Sequence, residues 1–149
     1  MGWIFFAEAV GALAGWLTRD GMETFNATAV QPPLSPPGIL FPIVWAVLYA
    51  LMGIGAARID LTPKSALRTR ALLVFLAQLL VNYFWSILFF SFQAFGLAFF
   101  WLLGLWGLIL WMILSFRKVD RTAAWLQIPY LLWVSFAAYL NLGVWVLNR

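Results

Sequence analysis

The sequence predicts an all-α integral membrane protein, a single bundle of five transmembrane helices over residues 1–149. Three observations lead there. Hydrophobic residues make up 65% of the chain and charged residues 9%, where soluble domains carry about 25% charged residues. Apolar runs approaching the roughly 20 residues that cross a bilayer recur five times between short polar breaks. Those runs are continuous, not alternating. Helices, which satisfy each N–H and C=O within the segment, are therefore the spanning form, and barrel strands are not.

The first segment covers about residues 3–18. It lacks the basic start and small-residue cleavage site of a removable signal, and so reads as a retained span. Ala7, Gly11 and Gly15 stand four apart, a small-residue stripe that lets backbones approach. Glu8 is the one ionisable group inside a span. It is a functional candidate by default, or it lies close enough to the N-terminus to reach the headgroups. A long connection follows over about residues 19–38, with Pro32, Pro33, Pro36 and Pro37 and the apolar Met22, Phe25, Val30 and Leu34. Such a stiff apolar loop reads as a lid over one mouth of the bundle, or as a connector in the headgroups.

The second span, about 39–57, is announced by Pro36 and Pro37, since proline suits a helix start. Trp45 and Tyr49 are four apart and share a face, with Gly53 and Ala57 beyond them. The third, about 71–92, places Gln78, Asn82, Trp85 and Phe89 on one face. Carboxamides in a bilayer need partners, so this face looks into the bundle, for helix-to-helix bonding or ligand contact. In the fourth, about 95–116, Trp101, Trp106 and Trp111 are five apart and spiral around the helix, while Gly104 and Gly107 offer a close-packing or dimer surface. The fifth, about 122–147, aligns Tyr130, Trp133, Ala137 and Asn141, and Pro129 within it predicts a kink and a freed carbonyl. Trp3, Trp125 and Trp145 fall near span ends, where indoles favour the interface.

Basic residues gather in two loops, Arg58, Lys64, Arg68 and Arg70 in one and Arg117, Lys118 and Arg121 in the other. The positive-inside rule puts both in the cytoplasm together with the N-terminus, as in a bacterial cell membrane. The net charge of +4 thus speaks of orientation, not of nucleic acid. The chain has no cysteine and no histidine. Thiolate chemistry, the commonest metal ligand and the usual general base are excluded, and no metal site is expected. With no pair of membrane acids, a proton relay or two-carboxylate hydrolase is unsupported as well. The aromatic-plus-amide faces instead describe an apolar pocket with few polar contacts, the usual form of a small-molecule site.

Three blocks carry a resemblance: PPGILFPIVWAVLYALMG from Pro36, QLLVNYFWSILFF from Gln78, and PYLLWVSFAAYLNLGVWVLN from Pro129. With five spans in a chain of this size, the sequence resembles the TspO/MBR family of tryptophan-rich sensory proteins and translocator (peripheral-type benzodiazepine receptor) proteins. The resemblance implies a five-helix bundle, often a homodimer, whose pocket is closed by the first loop. It implies binding of porphyrins and similar apolar ligands for sensing, shielding or transport, with no cofactor required. Ligand contacts implied by matching position are Pro36, Trp45, Tyr49, Asn82, Trp133 and Ala137. Trp85 and Asn141 join them from the face reading. Light-dependent porphyrin degradation is the alternative activity, with Trp45 and Trp133 as candidate catalytic residues, and lipid or sterol transport is another. Two departures stand out. Phe25, Asn26, Gln31 and Leu34 occupy places where the family's first loop usually carries further aromatic rings and a lysine. No base follows Tyr139 within the spacing of the sterol-recognition pattern, Arg149 lying too far on. Without histidine, a metal-free ring is the expected preference over haem.

Overall fold

The computed structural model describes residues 2–33, 35 and 40–148. It is all-helical, with no strand among the described residues: α1 (Gly2–Thr28), α2 (Leu40–Asp60), α3 (Ala66–Ser86) continued by a π turn (Ile87–Ser91), α4 (Phe95–Arg117), α5 (Arg121–Trp125) and α6 (Ile128–Leu147). Four helical runs are long and apolar enough to cross a membrane: Leu40–Asp60, Ala66–Ser91, Phe95–Arg117 and Arg121–Leu147. The fifth expected span, the first in the chain, is not among them.

The apolar part of α1 is short: Glu8 interrupts it, and Arg19 and Asp20 end it. The helix does not stop near Thr18 but runs to Thr28, carrying Arg19, Asp20 and Glu23 with it. The stretch contains no proline. Arg19 folds back on the helix, donating to the Trp16 carbonyl at 2.7 Å with its guanidinium 4.6 Å from the Trp16 ring centre. The expected 19–38 loop is thereby corrected to a short proline-rich connection after Thr28. Of its residues Leu34, Pro36, Pro37, Gly38 and Ile39 lie outside the described set, as do Met1 and Arg149.

The long helices follow one another around the bundle in the order α2, α1, α3, α4, α6. Close backbone approach explains several junctions. A Cβ on Gly11 would strike the Tyr49 ring, one on Gly53 the backbone of Ile4, and one on Gly21 the Phe90 carbonyl of the π turn. Ala7, Ala14 and Thr18 complete the buried stripe of α1. Gly15, Gly104 and Gly107 meet nothing within 4 Å, so they face outward and not a neighbouring helix. Between α2 and α6 the ring is unsealed: the two backbones are not closely packed along their length, and α5 joins α2 only at the basic end.

That end is pinned by charge. Arg58 pairs with Asp120 at 2.6 Å, Arg68 pairs with Asp60, and Trp3 Nε1 donates to Asp60 at 3.1 Å. Ser65 caps α3 and Asp120 caps α5.

The last expected span is broken in two at Leu126 and Gln127, and Pro129 sits in the first turn of α6, where its missing N–H costs nothing. The expected mid-helix kink is thus a helix start. Gln127 fills the break, its amide nitrogen bonding the Leu51 carbonyl at 3.0 Å while its side chain covers Gly55. At the opposite end the π turn closes through Phe92 N–H to the Ile87 carbonyl (3.0 Å) and Ala94 N–H to the Leu88 carbonyl (2.9 Å). The turn is completed by Gln93 in the left-handed region at φ 48°.

Candidate functional site

The site starts from polar groups that lipid cannot satisfy. Tyr49 of α2 donates to Asn82 Oδ1 at 2.9 Å, Asn82 Nδ2 donates to the Tyr130 hydroxyl at 2.6 Å, and Tyr130 donates to Gln78 Oε1 at 2.7 Å. The run ends with Gln78 Nε2 near Met52 Sδ at 3.8 Å. Every member is buried. Three helices are thereby cross-linked at mid-span, where an unmet polar group is costly. Asn82 and Tyr49, expected as ligand contacts, are held as bonding partners of each other.

Above this network lies an aromatic layer. The Trp45 ring is 5.7 Å from Tyr49, 6.4 Å from Trp85 and 6.2 Å from Tyr130, centre to centre. Trp85 stacks on Phe89 at 5.3 Å, and its N–H donates to Asn141 Oδ1 at 3.1 Å. The Asn141 nitrogen in turn bonds the Phe95 carbonyl at 2.8 Å. Phe25, expected in the loop, instead rides on the end of α1 and is buried against Phe89, Phe90 and Phe95 at 5.1, 5.5 and 6.1 Å.

A small hollow of about 30 Å³ remains, bounded by Phe25, Gln31, Phe41, Trp85, Ala137 and Asn141 among others. Its volume is that of one water molecule. Of the expected contacts, Trp85, Ala137 and Asn141 line it, whereas Trp45, Tyr49 and Asn82 are packed beneath it. Pro36 lies outside the described residues. Trp133 is turned away. The buried face of α6 runs Tyr130, Val134, Ala137, Asn141, so Trp133 falls one position to the side. It borders an open apolar crevice of about 510 Å³ between α2 and α6. Its Nε1 is buried with no hydrogen-bond partner among the described residues. Glu8 is half-buried on α1, one turn before Gly11, which packs on the Tyr49 ring, and Asn26 is exposed.

Sequence reasoning missed the clasp that closes the hollow. Asn148 brackets Val30, accepting from its N–H at 2.9 Å and donating to its carbonyl at 2.6 Å. Tyr139 donates to the Pro33 carbonyl at 2.6 Å. Pro32 is seated on Gly143, where an added Cβ would lie 2.5 Å from the proline ring. The sequence signal was slight: Tyr139 among the apolar residues of α6, and Asn148 just past its end. Each exposed bond contributes about 1 kcal/mol. The double variant Tyr139→Phe with Asn148→Ala is therefore expected to raise amide exchange at Ala29–Gln31 roughly ten- to a hundredfold, read by hydrogen–deuterium exchange. Unchanged exchange would mean the clasp is idle.

The family model described as TspO/MBR family matches residues 3–146. The chain is 36% identical to a tryptophan-rich protein TspO of Chlorobaculum tepidum, over 94% of this chain and 89% of that protein. It is 35% identical to the translocator protein of Ovis aries, over 90% of this chain and 80% of that one. To a tryptophan-rich sensory protein of Cereibacter sphaeroides it is 31% identical, over 99% and 94% respectively.

Proposed function

The chain belongs to the TspO/MBR family, and from that premise we propose that it is a membrane-embedded binding protein for porphyrins and similar flat apolar ligands, serving to sense, shield or carry them. One observation carries the reading. Rings from α1, α2, α3 and the π turn converge on the small side chain of Ala137, under a cover fastened by a few exposed hydrogen bonds. Stacking faces with few polar atoms suit a tetrapyrrole ring. The closed hollow is too small for it, so binding requires that the clasp release and Phe25 move aside. The same proposal sets the basic loops in the cytoplasm, which leaves the covered mouth on the opposite side of the membrane, and joins two copies as a homodimer.

The test is absorbance titration of the purified protein with protoporphyrin and with haem. Saturable protoporphyrin binding is expected, weakened at least tenfold by Ala137→Phe, which fills the hollow. Without histidine to ligate iron, haem is expected to bind no more tightly than the metal-free ring. Binding unaffected by Ala137→Phe would move the ligand out of the bundle, and clearly tighter haem binding would overturn the stacking argument.

A further inference from the structure

The unsealed seam between α2 and α6 has chemistry of its own. Its crevice, about 510 Å³, is walled by Val44, Val47 and Leu51 on one side and Leu132, Trp133 and Phe136 on the other. None of its lining residues carries a charge or a side-chain hydrogen-bond acceptor. The only side-chain polar atom in that lining is Trp133 Nε1, and it has no partner among the described residues. Trp133 packs edge-on against Phe41 at 5.8 Å, and Phe41 borders the inner hollow. The indole and the Phe41 ring together thus lie between the two spaces.

Depth narrows the occupant. Trp133 lies at most roughly 18 Å from the level of Arg121, counted through α5, the break and α6 at 1.5 Å per residue, and so inside a hydrocarbon layer about 30 Å thick. A lipid headgroup does not reach that depth, and a carboxylate there is strongly disfavoured. An alcohol or amide brings a donor for which the crevice has no acceptor. What fits is a neutral molecule that only accepts, with a flat ring to lie against Trp133 and Phe136 and a tail to follow the apolar groove.

We propose that the α2–α6 seam is a second binding site, open to the bilayer, for a neutral carbonyl-bearing ring lipid of the quinone class, whose oxygen takes the hydrogen bond that Trp133 lacks. The N–H is buried in the unliganded protein, so the ring turns off Phe41 as the carbonyl arrives. The unmet bond favours that turn. The site is separate from the hollow under the proline-rich cover and goes beyond porphyrin binding.

The probe is a decyl-substituted benzoquinone, titrated calorimetrically into the protein in lipid nanodiscs against empty nanodiscs. Decylbenzene, which has the ring and tail but no carbonyl, is the comparison. Saturable quinone binding is expected, at least tenfold tighter than decylbenzene, and weakened about tenfold by Trp133→Phe. In ¹⁵N-indole spectra, the one signal missing from Trp133→Phe is expected to move with quinone and not with decylbenzene. Equal binding of the two probes, or a stationary Trp133 signal, overturns the proposal. Val47→Trp guards against a folding defect in the first variant, since Val47 is 55% exposed and a larger ring there fills the crevice. It is expected to abolish quinone binding while protoporphyrin still titrates. Retained quinone binding refutes the seam site. Loss of both ligands refutes its separateness, and loss of protoporphyrin binding in the parent protein alone refutes only the inner-hollow reading.

Discussion

Replacing Asn82 with alanine is expected to destabilise the protein by about 3 kcal/mol, measured as a shift in the unfolding midpoint in mixed micelles. The side chain is fully buried and sits between two tyrosines from different helices. Its removal strands the Tyr49 hydroxyl as a donor with no acceptor, and Tyr130 loses a donor while keeping its bond to Gln78. In membranes a typical interhelical hydrogen bond is worth only about 0.6 kcal/mol. Most of the expected loss therefore comes from the orphaned hydroxyl and the cavity, not from the bonds themselves. This gives a distinguishing outcome. Adding Tyr49→Phe removes the orphan, so the double variant is expected to recover about 1 kcal/mol relative to Asn82→Ala alone. A double variant that is additive, with no recovery, would mean that the network contributes packing and little else.

Gly21→Ala is expected to cost at least about 3 kcal/mol, above the usual range for an overpacked site. The reason is what the new methyl would meet. It would land on the carbonyl of Phe90, backbone that is fixed by the π turn and has no rotamer to yield. Helix α1 must then move away from the π turn, and Phe25, one turn further on, is drawn out of its contacts with Phe89 and Phe90. Gly15→Ala is the control. It has nothing within 4 Å, and alanine's helix propensity should make it neutral or stabilising by up to about 1 kcal/mol. Equal behaviour of the two variants, in thermal unfolding, would show that α1 does not dock closely on the π turn.

The second, third and fourth spans were legible because long apolar runs admit few other readings, and the buried face Gln78, Asn82, Trp85, Phe89 follows from spacing alone. Partners did not follow. Spacing tells which way Asn82 points, but not that two tyrosines from distant segments saturate it. The end of α1 was set too early, at the point where Arg19 and Asp20 interrupt the apolar run ahead of the prolines. In fact Gly21 is there for close approach, and the charges lie along a helix that continues past them. Trp133 was assigned to the inward face by a spacing of three from Tyr130. Val134, at four, took that place because a small branched side chain fits the buried contact, and the indole was left to the seam. Gln127 went unnoticed as one amide in an apolar run, because its partner, the Leu51 carbonyl, lies on another helix and leaves no mark in local spacing.

The clasp on Val30 has a consequence for biosynthesis. Its partner, Asn148, lies directly after α6, so it is synthesised after each of the helices described above. While the nascent chain is being inserted, the proline-rich cover has nothing to fasten to, and the interior stays reachable from one side. A guest admitted at that stage would be enclosed as α6 enters the bilayer, before the clasp that later binding must release has formed.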